Sequence, residues 1–194
     1  MIRRFVFLAW LGACTLATAA TPVDTLKAGV LTPVMAAPAL KLAATDGQPL
    51  ALERFRGKVV LLAFGFSNCG EVCPITLATL AGARSKLGPE LARDVQVVYV
   101  TVDPERDDAA RMRKFLGAFD PTFIGGVGTR AEIDAAQSSW GITATRKTYP
   151  DGSYSIGHSS SIYLVDRAGG LRAVMPYGHP VDDFVHDLKI LLRG

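Results

Sequence analysis

Cysteine is scarce in this chain of 194 residues, which contains three, and histidine is equally rare. Neither sign of charge dominates, because the formal net charge is +3 and falls to about +1 without Arg3 and Arg4. So weak a charge gives no attraction for nucleic-acid phosphates, and we expect no nucleic-acid partner. Apolar residues make up 49% and charged residues 20%, which is typical of a folded domain and excludes a disordered chain.

The first 20 residues have the features of an export signal. Arg3 and Arg4 precede an apolar run that begins at Phe5. Three interpretations remain open: a signal peptide cleaved after Ala17-Thr18-Ala19, a lipoprotein signal because Leu11-Gly12-Ala13-Cys14 resembles a lipobox, or an uncleaved anchor, for which the run is short. All three predict a domain in the periplasm or on the outer face of the cytoplasmic membrane.

After this segment the chain contains only two cysteines, Cys69 and Cys73. In an oxidising compartment such a pair can form a structural disulfide. A disulfide that closes so short a loop removes little chain entropy, and it would stabilise the domain weakly. The pair therefore favours redox or metal chemistry.

The stretch around this pair predicts a strand, a turn and a helix. Residues 59–64 are uniformly apolar, as in a strand buried on both faces of a sheet. Pro74 suits the first turn of a helix, which places Cys69 in the turn and Cys73 at the helix start. Because unpaired N–H groups at a helix start favour a thiolate, we expect both cysteines to be more acidic than free cysteine.

The rest of the chain predicts one α/β domain over residues 39–194, preceded by a linker over residues 21–38. Strand patterns alternate with helix patterns, which favours a thioredoxin-like three-layer domain with a central mixed β-sheet. An extra hairpin is expected before the segment that carries His158. Besides two short strands within 39–55, we predict strands at 95–102, 123–124, 161–165 and 171–175, a short helical turn at 52–55, helices at 75–87, 109–119, 130–140 and 181–192, and the hairpin at 147–156.

The stretch around Cys69 and Cys73 carries a motif that is specific enough to suggest a protein family. GFSNCGEVCP resembles the CxxxCP signature of the Sco/SenC family, thioredoxin-fold copper proteins linked to cytochrome c oxidase assembly. VTVDPERDD, the glycine-containing stretch 121–133 and YSIGHSSSIYLVD are similar to family segments in the same order and spacing. The resemblance extends from about residue 39 to the C-terminus.

The resemblance implies a copper site formed by Cys69, Cys73 and His158. Thiolates select Cu(I), and imidazole accepts both Cu(I) and Cu(II). The implied function is that of a metallochaperone for the dinuclear copper site of cytochrome c oxidase. The expected partners are the oxidase subunit that holds this site and a second periplasmic copper chaperone, and we expect a monomer.

Three positions depart from the family pattern. Gly70 stands where many members have proline, Asn68 where a histidine or an aromatic residue is frequent, and Gly157 where an acidic residue precedes the histidine. At Gly157 we expect the loss of a hydrogen bond that would support the histidine.

Other functions compete for the same residues. One is a periplasmic thiol–disulfide reductase that acts on the cysteines of the oxidase copper subunit, with Cys69 and Cys73 as its redox pair. Another is a peroxidase, because Val72-Cys73-Pro74 resembles the nucleophile turn of peroxiredoxins. Such a site needs a threonine three residues before the cysteine, where this chain has Gly70. A copper-responsive sensor or scaffold is a fourth reading, and whether the protein is an enzyme stays open.

Several further polar residues need an interpretation. Asp103, Glu105 and Asp107 either cap the following helix or form a second metal-binding or partner-facing cluster. His179 is predicted to lie in a loop and His186 on an exposed helix face. The aromatic residues expected in the core are Phe64, Phe66, Phe115, Phe119 and Trp140.

Overall fold

A computed structural model describes residues 25–194 of the chain. It contains ten strands and five α-helices. The strands are β1 (Gly29–Ala36), β2 (Leu42–Ala44), β3 (Pro49–Leu50), β4 (Val59–Gly65), β5 (Val95–Thr101), β6 (Ile124–Val127), β7 (Ala144–Thr148), β8 (Tyr154–His158), β9 (Ile162–Val165) and β10 (Gly170–Met175). The helices are α1 (Val72–Leu87), α2 (Pro89–Ala92), α3 (Ala109–Gly117), α4 (Arg130–Ser139) and α5 (Val181–Arg193), with a 3-10 helix at Leu52–Phe55.

Eight strands form one mixed sheet in the order β1-β10-β9-β4-β5-β6-β2-β3. β4 and β5 lie at its centre and pair in parallel from Val59 opposite Val95 to Gly65 opposite Thr101. Every residue of both strands is buried, because helices and loops cover the sheet. The mixed sheet with flanking helices confirms the predicted α/β class.

The helix boundaries follow local chemistry. α1 carries Pro74 in its first turn and ends at Gly88, whose φ of 79° lies in the left-handed region that favours glycine. α4 begins with a capping box, in which Thr129 and Glu132 satisfy each other's backbone N–H groups. α1 packs against α5, and α3 packs against β6.

β7 and β8 form the predicted hairpin, which is a two-stranded sheet of its own. Its register runs from Thr148 opposite Tyr154 to Ala144 opposite His158. The second strand continues as far as His158, so the histidine ends this hairpin strand, whereas the predicted hairpin ended at residue 156. The ladder of the hairpin extends to the histidine because Gly157 pairs with Thr145 and His158 with Ala144.

The structure corrects the predicted linker over residues 21–38. Gly29–Ala36 forms β1, an edge strand that pairs antiparallel with β10. Most of its residues are exposed, which is why its sequence shows no buried-strand pattern. The predicted export signal, with Cys14, lies outside the described residues. Within residues 25–194, no helix is both long and apolar enough to span a bilayer.

Candidate metal and redox site

The turn between β4 and α1 holds both cysteines. Cys69 lies in the turn, and its backbone N–H donates to the carbonyl oxygen of Phe66 over 3.4 Å. Cys73 is the second residue of α1, and its side chain is buried. Both thiols are free. The strand-turn-helix predicted for this stretch is confirmed.

The turn makes Cys69 the more acidic thiol. Partial burial alone would raise its pKa, but hydrogen bonds from the Cys73 thiol and from the backbone N–H groups of Glu71, Cys73 and Val72 stabilise the thiolate and lower the pKa. One of these bonds joins the Cys73 N–H to Cys69 Sγ over 3.4 Å. The expectation of an acidic cysteine is confirmed for Cys69.

The same expectation is wrong for Cys73. Burial raises the pKa of its thiol to about 12, although hydrogen bonds from the Tyr99 hydroxyl and the Phe66 backbone N–H act in the opposite direction. Its position at the helix start is outweighed because Cys73 is only 1% exposed and a thiolate there would lose its hydration. The two thiols therefore differ strongly in their readiness to ionise.

His158 faces Cys73 from the hairpin. Its Nδ1 lies 2.7 Å from the carbonyl oxygen of Ser159, and a carbonyl oxygen can only accept, so Nδ1 carries the proton. This leaves the Nε2 lone pair of the neutral ring directed at Cys73 Sγ, 3.7 Å away. The Phe66 ring packs edge-on against the imidazole at 5.9 Å between centroids. Burial lowers the pKa of His158, against the opposing effect of the Ser159 hydrogen bond, and so favours the neutral form.

Tyr99 and Gly65 are parts of the site that the sequence reasoning missed. A Cβ on Gly65 would lie 1.8 Å from the Tyr99 hydroxyl and 2.9 Å from Cys73 Sγ. Glycine is therefore required there so that the hydroxyl and the sulfur can meet above β4. A detectable signal existed, because Tyr99 lies in the valine-rich, fully buried strand β5 and a buried hydroxyl needs a partner.

The acidic segment 103–107 does not cap the next helix. Asp108 is the residue that caps α3, through the Arg111 N–H at 2.7 Å. Asp107 is buried and instead holds the cysteine turn, since it accepts from the Ser67 N–H at 3.0 Å and from the Thr101 hydroxyl at 2.7 Å. The capping interpretation of Asp103, Glu105 and Asp107 is therefore wrong.

The contacts of these carboxylates also contradict the alternative that they form a metal-binding cluster. Asp103 is fully buried and paired with Arg106, and Glu105 is paired with Arg130. Each carboxylate of the segment thus already has a cation or hydrogen-bond donors as its partners.

The remaining histidines lie away from the cysteines. His179 lies in the loop before α5, with Nδ1 2.9 Å from an oxygen of Asp183. His186 lies on α5 beside Asp187 and is partly exposed. Of the predicted core aromatics, Phe64, Phe66 and Trp140 are buried, whereas Phe115 and Phe119 are half-buried at the edge of the core.

An open cleft of about 610 Å³ leads to the turn. Its walls include Asn68, Cys69 and Gly70 on one side and Arg106 and Tyr154 on the other. Two of the three family departures thus lie on the cleft wall. The third, Gly157, has no atom within 4 Å of the position that a Cβ would take, so a larger side chain would have room there.

The protein brings two sulfurs and an imidazole to one end of the sheet. Cys73 and His158 are already adjacent, and Cys69 reaches the Cys73 backbone. Within residues 25–194, however, no three cysteine, histidine or carboxylate side chains already converge as a metal cluster. Chemically, the arrangement offers two sulfurs and one imidazole for thiol–disulfide exchange or for metal binding.

Comparison with known proteins gives a consistent result. The family model described as SCO1/SenC matches residues 34–193. A candidate copper-binding protein of Stutzerimonas stutzeri is 30% identical over 164 residues, which cover 82% of this chain and 80% of the relative.

Two solved structures share both sequence and fold with the chain. Apo Sco1 from Thermus thermophilus is 32% identical, with a TM-score of 0.79 and coverage of 89% of this chain and all of the other. Bradyrhizobium japonicum ScoI with copper bound is 30% identical, with a TM-score of 0.74 and coverage of 81% of this chain and all of the other. The predicted thioredoxin-like architecture is confirmed by this likeness.

Mitochondrial relatives are longer than the matched region. The match spans 41% of the SCO1 homolog 1 of Arabidopsis thaliana and 49% of the SCO2 homolog of Mus musculus. Because the family model matches from within β1 to the end of α5, this chain belongs to the SCO1/SenC family.

Proposed function

We propose that this protein is a copper metallochaperone that carries one copper ion as cargo on Cys69, Cys73 and His158. The observation that carries the proposal is the 3.7 Å approach of His158 Nε2 to Cys73 Sγ, with Cys69 in the adjoining turn. Two thiolates and one neutral imidazole match the ligand preferences of Cu(I), and the imidazole also suits Cu(II). The copper-bound ScoI relative supports this reading.

Copper loading requires changes that the chain can supply. Cys73 must lose its proton to the incoming ion, which a copper ion drives because it replaces the proton as the positive partner of the sulfur. Cys69 lies on the cleft wall and is only half-buried, and its sulfur already accepts a hydrogen bond from the Cys73 thiol. Three protein ligands leave room for a ligand from the partner, which a transfer needs.

The proposed recipient is the subunit of cytochrome c oxidase that holds the dinuclear copper site. One structural relative, BsSco, is described as a member of the Sco family of cytochrome c oxidase assembly proteins, and it is 27% identical with a TM-score of 0.63. A second periplasmic copper chaperone is the proposed donor. The export-like N-terminus supports a location in the periplasm or on the outer face of the cytoplasmic membrane.

A second candidate function, thiol–disulfide reduction, is favoured by the contrast between the two thiols. The Cys69 thiolate would attack one sulfur of a disulfide in the oxidase subunit, forming a mixed disulfide and releasing a thiolate of the subunit. Cys73 would then give up its proton and attack the Cys69 sulfur, which releases the second thiolate. Two electrons pass to the subunit, and Cys69 and Cys73 end as a disulfide.

Anaerobic titration of the reduced protein with Cu(I) and with Cu(II) tests the first proposal. We expect tight one-to-one binding that is lost in Cys69→Ser and Cys73→Ser and weakened in His158→Ala. His179→Ala is the matched control, because this histidine pairs with Asp183 in a loop and its loss should leave binding unchanged. Absence of tight binding by the reduced wild type would sink the chaperone proposal, and the reduction potential of the pair would then test the reductase.

A further inference from the structure

The hairpin that carries His158 has no backbone ladder to the rest of the domain. Within residues 25–194, β7 and β8 pair with each other and not with the eight-stranded sheet. A two-stranded ribbon by itself is marginally stable in water. Apart from its short chain connections to α4 and β9, the hairpin, and with it His158, is held against the domain by side-chain contacts.

Tyr154, at the opposite end of β8 from His158, makes the densest set of such contacts. Its hydroxyl donates to an Asp103 carboxylate oxygen at 2.7 Å, and its carbonyl oxygen accepts from Arg106 at 3.2 Å. Its ring stacks on the Arg106 guanidinium of the domain, 3.8 Å from the centroid, and its second guanidinium neighbour, Arg146 of β7 at 3.6 Å, belongs to the hairpin itself. Such stacking of arginine on an aromatic ring is favourable, and more so when partly desolvated.

The domain side of this contact is rigid. Asp103 is fully buried, and its N–H donates to the Thr101 hydroxyl at 2.9 Å at the end of β5. Arg106 pairs with the Asp103 carboxylate, and its backbone N–H returns to the Asp103 carbonyl oxygen at 3.1 Å. Tyr154 thus binds to an anchor formed by Asp103 and Arg106, which already contact each other. Such a pre-formed partner lowers the entropy cost of docking the hairpin.

The anchor also reaches the ligand end of the hairpin. The Arg106 guanidinium lies 5.7 Å from the Phe66 ring centroid, and the same ring packs edge-on against His158 at 5.9 Å. Arg106 therefore contacts the hairpin at Tyr154 and supports the aromatic wall against which the imidazole rests.

We propose that Asp103, Arg106 and Tyr154 form a latch that docks the β7–β8 hairpin and thereby positions His158 against Cys73. These are positioning residues, since none of them supplies a donor atom to the cargo. The inference deepens the proposed function, because the latch decides whether the imidazole is present as the third copper ligand. It also assigns a role to the acidic segment that neither helix capping nor a metal cluster explains.

Tyr154→Phe tests the latch with little risk to the fold, because it removes the bond to Asp103 and keeps the ring stacked on Arg106. Tyr149→Phe is the matched control on the same hairpin, since its hydroxyl contacts Ser155 of the hairpin itself at 3.0 Å.

The first readout needs no metal. In the metal-free reduced protein, we expect Tyr154→Phe to weaken the NMR cross-peaks between the Phe66 and His158 rings and to speed amide exchange in β7 and β8, while β4 and β5 stay protected. Tyr149→Phe should leave the ring cross-peaks unchanged. Unchanged cross-peaks and unchanged exchange in Tyr154→Phe would overturn the latch, whatever the protein does with copper.

The second readout is a double-mutant cycle on Cu(I) affinity. Tyr154→Phe should weaken binding by about 3- to 10-fold, the effect of one hydrogen bond, and should have no further effect in the His158→Ala background. An equal loss in both backgrounds would show that Tyr154 does not act through His158 and would overturn the proposal. If the wild type itself binds no copper, the proposed function fails, and the NMR readout still decides the latch.

Discussion

Cys73 Sγ and His158 Nε2 lie 3.7 Å apart although 85 positions separate the two residues in the chain. Cys73 comes from the first turn of a helix after the central strand, and His158 comes from the end of a hairpin outside the main sheet. Burial of both groups favours their neutral forms in the absence of a cation. In the metal-free reduced protein an uncharged thiol therefore lies beside an uncharged imidazole.

The contrast between the two thiols predicts unequal alkylation. Because the pKa of Cys69 is lowered and that of Cys73 is raised to about 12, a short iodoacetamide pulse at about pH 8 should label Cys69 well ahead of Cys73. Mass spectrometry of the two labelled sites measures the ratio. In urea-unfolded protein the ratio should approach one, and a ratio near one in the folded protein would contradict the assignment.

Burial of His158 predicts a loss of stability in acid. Its pKa is lowered in the folded state, so below the unfolded value near 6.5 the unfolded chain takes up the proton first. The contribution of the neutral histidine is complete above this pH and is lost as the pH falls through the folded pKa. Urea unfolding of the metal-free reduced protein should show wild type losing more free energy of unfolding than His158→Gln between about pH 7.5 and pH 5.

The difference between the two proteins has an internal control. Between about pH 7.5 and pH 8.5 the histidine is neutral in both states, and the difference should stay constant. A difference that is equally constant down to about pH 5 would mean that burial does not oppose protonation of His158.

Gly65→Ala is expected to destabilise the protein by about 1–3 kcal/mol. The new Cβ would lie 1.8 Å from the Tyr99 hydroxyl and 2.9 Å from Cys73 Sγ, and both neighbours are buried and unable to withdraw. Gly117→Ala is the control, because nothing lies within 4 Å of its Cβ position at the end of α3. Denaturant unfolding measures both, and equal effects would contradict the close approach at Gly65.

Tyr99→Phe should weaken Cu(I) binding by about 2- to 10-fold, since it removes one hydrogen bond from the Cys73 sulfur. Tyr163→Phe is the matched control, because its buried hydroxyl donates to the Trp140 carbonyl oxygen at 2.8 Å, away from Cys73. Both variants should lose stability, but copper affinity should change in the first alone. Equal Cu(I) affinities in the two variants would show that the Tyr99 hydroxyl does not contribute to copper binding.

Elements with a local pattern were predicted correctly from the sequence. The apolar run of β4, the Gly- and Pro-marked boundaries of α1 and the turn of the hairpin each depend on neighbouring residues. β1 was missed because its exposed residues show no buried-strand pattern and its partner, β10, lies near the other end of the chain. Local periodicity does not show which distant strands pair or in which register, because both depend on the tertiary structure.

The sequence by itself determined the strand-turn-helix that holds Cys69 and Cys73 and the α/β class, because spacing and hydrophobic pattern are written in the chain. The tertiary structure alone decided that Cys69 is the acidic thiol, that Tyr99 meets Cys73, and that Asp103 binds the hairpin instead of a helix end. The physical reason is desolvation. Acidity and partner choice depend on which distant side chains exclude water from a group, and folding brings those side chains together.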